Sequence, residues 1–385
     1  MEQKDKKCNF SPLIFLSSLG AGGISVSIFA FFNYTLEHGK GLIKISQTHQ
    51  ILSGFQEWIY SILEINMAFF VIIHLVLTFI FFKKMYFWFK DKEIYNKFIN
   101  NPLSNSAILA PFLSITMTMN VFIASIRYFI PTFADNLQSF MLSGLITWIL
   151  IWIFLMRMEI KLLKISFAQG FDMSKITFGW LLHPFALGMI SVTGAGIAAL
   201  AKNKLISDIA FFFLLISLTM GIFLFLVKLI SIFQKHFKSD GLGERKFLPS
   251  LLIIIPNITL FAITFFRLGH FLEHHYRAHF QIFFLLVILS AFAFETWYMI
   301  FGISLLKDYF KKDLFNNFHV SQWGLICPFV AYSVISSFSY MLFFYNIYFL
   351  IFNVLLIVFT IILFIFLFKK QIQCINKSNN NLKCE

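Results

Sequence analysis

The densest chemistry in this chain is Gly-His-Phe-Leu-Glu-His-His-Tyr-Arg-Ala-His at 269–279. His270, His274, His275 and His279 follow a His-x3-His-His-x3-His spacing. On a helix, His270 then shares a face with His274, and His275 with His279. Such pairs can ligate a metal, as in the histidine boxes of membrane di-iron hydroxylases, or change charge near neutral pH and sense protons. A di-iron site draws ligands from several boxes, whereas the other histidines (His38, His49, His74, His183, His236, His319) stand singly. The expectation is a solvated loop, with no metal and no cofactor. A membrane oxidoreductase using the 270–279 cluster is the alternative from another function class.

Two carboxylates, Glu64 and Glu295, fall inside long apolar runs. A carboxylate there is costly and is paired, hydrogen-bonded or used in proton coupling. Arg127 and Arg267 stand near the ends of two other apolar runs, and Lys202 and Lys204 follow a third. They either snorkel to the interface or form a positive vestibule that concentrates anions. No phosphate-cradling glycine loop and no Ser/His/Asp or Cys/His set is present, which argues against ATP-driven transport and against hydrolytic catalysis.

The elements that must position these residues follow from composition. The 385 residues are 59% hydrophobic and 13% charged, with 55 phenylalanines. Soluble domains carry about 25% charged residues, so this chain needs a lipid solvent. A spanning helix takes about 20 apolar residues. Ten such runs lie near 11–33, 58–82, 106–130, 137–157, 177–200, 206–230, 248–268, 280–305, 322–345 and 347–368. The predicted fold is an all-α polytopic membrane protein. A cytoplasmic tail of residues 1–10 and another of 369–385 flank a single ten-span domain over 11–368. Of 31 Lys and Arg, 24 fall in the two tails and the even-numbered loops. The positive-inside rule then places both termini in the cytoplasm of a cytoplasmic membrane. The net charge of +13 is spread at span ends in this way, which argues against a nucleic-acid partner. Lys4, Lys6 and Lys7 before an apolar run imitate a signal peptide, but that run is too long for one. The four cysteines suggest neither a zinc site nor a disulfide framework.

Prolines punctuate the odd runs only. Pro111, Pro184, Pro256 and Pro328 are 73, 72 and 72 positions apart, and Pro12 opens the first run. A fixed period marks a duplicated unit, here a helical hairpin. Five hairpins in parallel orientation, with proline-kinked odd helices inside and even helices outside, would enclose a central pore. The glycines of the first and fifth runs (Gly20, Gly22, Gly23, Gly188, Gly194, Gly196) fit close helix packing.

The third span with its lead reads Asn-Pro-Leu-Ser-Asn-Ser-Ala-Ile-Leu-Ala-Pro-Phe-Leu (101–113), and the ninth Phe-His-Val-Ser-Gln-Trp-Gly-Leu-Ile-Cys-Pro-Phe (318–329). Both resemble the tellurite-resistance/dicarboxylate transporter family, which includes the plant slow-type anion channels. The ten-span layout extends the resemblance over the whole chain. It implies a pore lined by spans 1, 3, 5, 7 and 9 that passes small anions such as chloride or nitrate. It also implies a lipid-embedded homotrimer and no enzyme activity. Proton-coupled export of dicarboxylate or sulfite by the same fold is the alternative, with Glu64 and Glu295 as coupling candidates. In the family channels an aromatic side chain just before the ninth-helix bend plugs the pore. Here that position is Cys327, and the third-span lead is Asn101-Pro102 rather than His-Pro. Phenylalanine follows the repeat proline at Phe112, Phe185 and Phe329, with Asn257 in the fourth place. The gate candidates are therefore Cys327, Phe329, Phe112, Phe185 and Asn257, with Phe329 foremost.

Overall fold

The computed structural model describes residues 10–39, 41–238, 241, 243–276, 279–375 and 383–384. Among the described residues, ten helices are long and apolar enough to cross a membrane: span one, Pro12–Thr35; span two, Phe55–Lys90; span three, Asn105–Phe129; span four, Leu137–Gln169; span five, Phe178–Leu200; span six, Lys204–Lys238; span seven, Arg245–Tyr276; span eight, Gln281–Leu305; span nine, Val320–Leu342; and span ten, Ile347–Cys374. Each predicted run coincides with one of them. Spans two, four and six have 36, 33 and 35 residues, about 50 Å at helical rise. That exceeds a hydrocarbon core of about 30 Å, so their lysine-bearing ends remain helical beyond the apolar window.

The odd spans form a closed inner ring. Span one packs on three and nine, three on five, five on seven, and seven on nine. Each odd span opens with a short 3-10 lead, and the five leads touch in the same cyclic order. All five inner helices therefore start at one end of the molecule and run the same way. Each even span packs on its own hairpin partner and on the following odd span, from outside. Burial follows from this arrangement. The apolar windows of the odd spans are 67% to 100% buried, and those of the even spans 28% to 39%. The exposed faces carry Phe79, Phe212, Phe223, Ile300 and Leu355, side chains that hydrocarbon can solvate.

The repeat prolines occupy a different part of the helix from a mid-span bend. Pro111 is the second α-helical residue after its 3-10 lead, and Pro184, Pro256 and Pro328 are each the third; Pro12 opens a 3-10 turn. At this junction the hydrogen-bond pattern changes from the 3-10 to the α spacing, so a residue without an N–H is tolerated and its fixed φ favours the turn. The proline repeat thus marks the junction between lead and helix.

Hydroxyls knit the inner ring where backbones approach closely. Ser18 Oγ meets Ser114 Oγ at 2.7 Å, and Ser25 Oγ meets Ser125 Oγ at 2.9 Å, both between spans one and three. The glycines serve the same closeness. A Cβ on Gly22 would sit 2.7 Å from His74 Nδ1, and one on Gly194 would overlap the Trp148 ring. The ninth-span motif is anchored by Trp323, whose Nε1 donates to Gln371 Oε1 at 2.8 Å, and Lys370 Nζ donates to the carbonyls of Leu314 and Asn317. Two-residue strands at Asn317–Phe318 and Lys383–Cys384 pair in parallel. Cys374 is disulfide-bonded, which the cysteine spacing did not suggest.

Candidate functional site

A cavity of about 690 Å³ lies inside the inner ring, lined by the five odd spans and by the segment just after span one. Each helix contributes one stripe at helical spacing. Span nine gives Cys327, Val330, Ala331, Val334, Phe338 and Met341; span seven gives Pro256, Thr259, Leu260, Ile263, Arg267, His270 and His274. The stripes grade from apolar to polar along the axis. Near the helix starts the wall is Leu19, Gly20, Phe185, Leu260 and Cys327. Midway, Asn120 Nδ2 donates to Thr193 Oγ1 at 2.8 Å. Toward the helix ends stand Asn33, Tyr34, His38, Arg267, His270 and His274. Among the described residues no Asp or Glu lines the cavity.

Of the five gate candidates, Cys327 and Phe185 line this cavity. Phe329 turns outward onto Phe359 of span ten, with ring centroids 4.8 Å apart. Phe112 is half-buried and packed against the hydrophobic core, and Asn257 is fully buried with Nδ2 donating to Ile253 O at 2.8 Å. Neither belongs to the wall. The reason is rotation. Counted from the repeat proline, the first lining residue is one after it in span five, the proline itself in span seven and one before it in span nine. Equal sequence spacing therefore does not give equal facing.

The charged candidates also separate. Arg267 lines the cavity, and its Nη1 donates to Val192 O at 2.8 Å. Arg127 is 2% exposed and outside the wall; its Nε donates to Ile123 O at 3.0 Å and its Nη2 to Ile43 O at 2.6 Å. The stripe Met117, Asn120, Ala124 would continue to Arg127 in a regular helix, but a π turn over Phe122–Ile126 intervenes. That wider turn takes in about one extra residue and rotates Arg127 toward the segment it clamps. Lys202 and Lys204 are exposed and outside the wall, and the Lys202 N–H donates to Gln138 Oε1 at 2.9 Å.

A family model described as voltage-dependent anion channel matches residues 9–370. The chain belongs to the voltage-dependent anion channel family. This is the family that the third- and ninth-span motifs resemble, a family of membrane channels and transporters rather than enzymes. No curated protein matches the chain.

In this member of the voltage-dependent anion channel family the four clustered histidines do not converge. His270 and His274 line the cavity, while His275 Nε2 meets Ser207 Oγ of span six at 3.1 Å and His279 is exposed. Among the described residues no group of three or more His, Cys, Asp or Glu could hold a metal ion. The two coupling candidates sit behind the wall. Glu64 Oε2 accepts from Tyr128 Oη at 3.1 Å and lies 3.3 Å from His49 Nε2. Glu295 is fully buried; its Oε1 accepts from Thr259 Oγ1 at 2.6 Å, and its Oε2 has no hydrogen-bond partner among the described residues. Thr259 itself lines the cavity.

One ionisable cluster was invisible from the sequence alone. His183 Nδ1 and Glu159 Oε2 are 2.6 Å apart, both fully buried, with Lys228 over the Trp180 ring at 4.2 Å and in electrostatic reach of Glu159. Glu159 and Lys228 lie ten residues before the ends of spans four and six. The one available signal was His183 standing directly before a repeat proline. His74 is likewise buried, bonding Ser18 O at 2.7 Å and Thr118 Oγ1 at 2.8 Å.

Proposed function

We propose that small inorganic anions, of the size of chloride or nitrate, cross the membrane along the cavity of the inner ring. The observation that carries this reading is the composition of the wall: among the described residues it holds one guanidinium, three imidazoles and no carboxylate. A cavity of one charge sign in a low-dielectric surround raises the local concentration of the opposite ion. Arg267 binds the passing anion, and the lysines 202 and 204 add to the field outside the mouth. Phe185, Leu260 and Cys327 form the apolar section that limits flow by excluding water. With both termini in the cytoplasm of the cell membrane, the Arg267 mouth faces outward.

The test is anion flux into proteoliposomes of purified protein under an imposed membrane potential. The expected result is uptake of chloride or nitrate that follows the potential and ignores a pH gradient. Absence of flux for every anion tried, or equal flux of potassium, overturns the reading. A second reading, proton-coupled export of a dicarboxylate or sulfite, is favoured by one observation. The cavity-lining Thr259 links the wall directly to the buried Glu295 carboxyl. On that reading flux requires the pH gradient, and Glu295→Gln abolishes the requirement.

A further inference from the structure

We infer that the mouth at which the inner helices end is a proton-regulated anion site, made by His38, His270 and His274 above Arg267. The inference rests on the anion pathway proposed above and adds the control of its entry. His270 and His274 are one helical turn apart on the lining face of span seven, and Arg267 is one turn before His270. His38 reaches the same cavity from the segment after span one. Three imidazoles from two separate elements therefore share one chamber with a guanidinium.

The hydrogen bonds leave protonatable nitrogens in place. His38 Nε2 is 3.0 Å from Asn33 O, and a carbonyl only accepts, so Nε2 carries the hydrogen. Nδ1 of His38 is then a bare acceptor, buried without a partner. Adding a proton turns it into a buried donor, and an anion in the chamber is an acceptor for it. His270 Nδ1 lies 3.2 Å from Glu273 Oε2, which likewise assigns the hydrogen to Nδ1 and leaves Nε2 as the protonation site.

The surrounding charges do not cancel the change. Glu273 on span seven is paired with His270, and its second oxygen accepts from the Phe280 N–H at 3.0 Å. Glu37 at the end of span one is exposed and accepts from Tyr345 Oη at 3.2 Å, and Tyr34 on span one lines the cavity. Lys44 is paired with Asp135 at 2.5 Å, and Arg127 of span three is committed to two carbonyls. Beyond span five, Lys202 and Lys204 are exposed; span six offers Asp208, half-buried, and span nine offers Tyr340. Imidazoles change charge between about pH 5 and 8. Acidifying this face thus adds positive charge to a chamber with no lining carboxylate, and anion occupancy rises.

The experiment pairs two readouts on wild type and on His38→Gln/His270→Gln/His274→Gln. The first is nitrate flux with pH set separately on each face; the second is the nitrate-induced rise in melting temperature of the detergent-purified protein. Wild-type flux is expected to increase roughly fivefold when the Arg267 face goes from about pH 8 to about pH 5.5, as one or more charges appear near the ion. The nitrate-induced stabilisation grows over the same range. In the triple variant both become independent of pH. A pH response that persists in the variant, or is absent from wild type in both readouts, overturns the inference. Stabilisation that keeps its histidine-dependent pH response while no anion is transported would sink the transport reading and leave the site standing.

Discussion

At the scale of the residue, Gly196 and Arg267 form a unit. A Cβ on Gly196 would lie 3.0 Å from Arg267 Nη1, so Gly196→Ala displaces the guanidinium without touching backbone. Arg267→Gln is expected to lower anion flux about tenfold, most strongly at low ionic strength, and Gly196→Ala to lower it less, with melting temperature unchanged. Flux of Arg267→Gln equal to wild type at every salt concentration would remove Arg267 from the mechanism. Arg127→Gln should behave oppositely. It strands the carbonyls of Ile43 and Ile123 and costs about 1–3 kcal/mol of stability, which thermal unfolding measures directly. The apolar section gives a matching contrast. Cys327→Phe fills the wall and should reduce flux more than tenfold, and Phe185→Ala should raise it. Phe329→Ala should leave conductance alone, because that ring lies on Phe359 outside the wall. A large conductance change in Phe329→Ala, with none in Cys327→Phe, would reverse the assignment. These facings were not legible in the sequence. A proline repeat fixes where each helix begins, whereas its rotation about its own axis depends on the neighbouring helices that pack against it.

At the scale of the element, the sequence was most legible where one physical rule acts alone. Hydropathy found all ten spans, because lipid solvation leaves a direct trace. It was least legible where rules compete. The π turn over Phe122–Ile126 has no residue signature, and it decides that Arg127 is a clamp. Glu159 lies just past the predicted run 137–157 and Lys228 inside 206–230, and nothing in either run shows that both come together with His183 in a buried cluster. Such a cluster is sensitive to loss of one member. Glu159→Ala leaves His183 and Lys228 buried without their carboxylate and is expected to destabilise by about 3–5 kcal/mol. Unchanged thermal unfolding of that variant would mean the lysine and histidine are solvated by other means. Gly194→Ala tests close packing in the same way. Trp148 is fully buried, and its Nε1 donates to Ile190 O at 2.9 Å; the new methyl must push the indole away. The expected cost is about 1–3 kcal/mol, seen as a lower melting temperature with anion selectivity retained. A melting temperature equal to wild type would show that spans four and five can separate freely.

At the scale of the whole molecule, the parallel inner ring makes the two mouths chemically unlike. Because all five leads lie at one end, every late residue of an inner helix falls at the other. That is how Arg267, His270 and His274 of span seven come to share a mouth with Asn33 and Tyr34 of span one. An antiparallel ring of the same helices would have divided these groups between both ends. The opposite end of the wall is Leu19, Phe185, Leu260 and Cys327, with no side chain to attract an anion. An anion at the Arg267 mouth therefore meets positive charge in the wall itself, whereas at the other mouth the attracting charge is that of the tails and even-numbered loops outside the wall. In symmetric low salt, current carried by anions entering at the Arg267 mouth should exceed the reverse current about two- to threefold. The asymmetry should fade as salt rises, since the screening length falls from about 10 Å at 0.1 M to about 3 Å at 1 M. Planar-bilayer recordings over that salt range measure it, with orientation assigned from a tag on one terminus. Arg267→Gln should make the low-salt currents nearly symmetric. Symmetric wild-type currents at low salt, or rectification that salt leaves intact, would mean that something other than the charge of this mouth directs the ion.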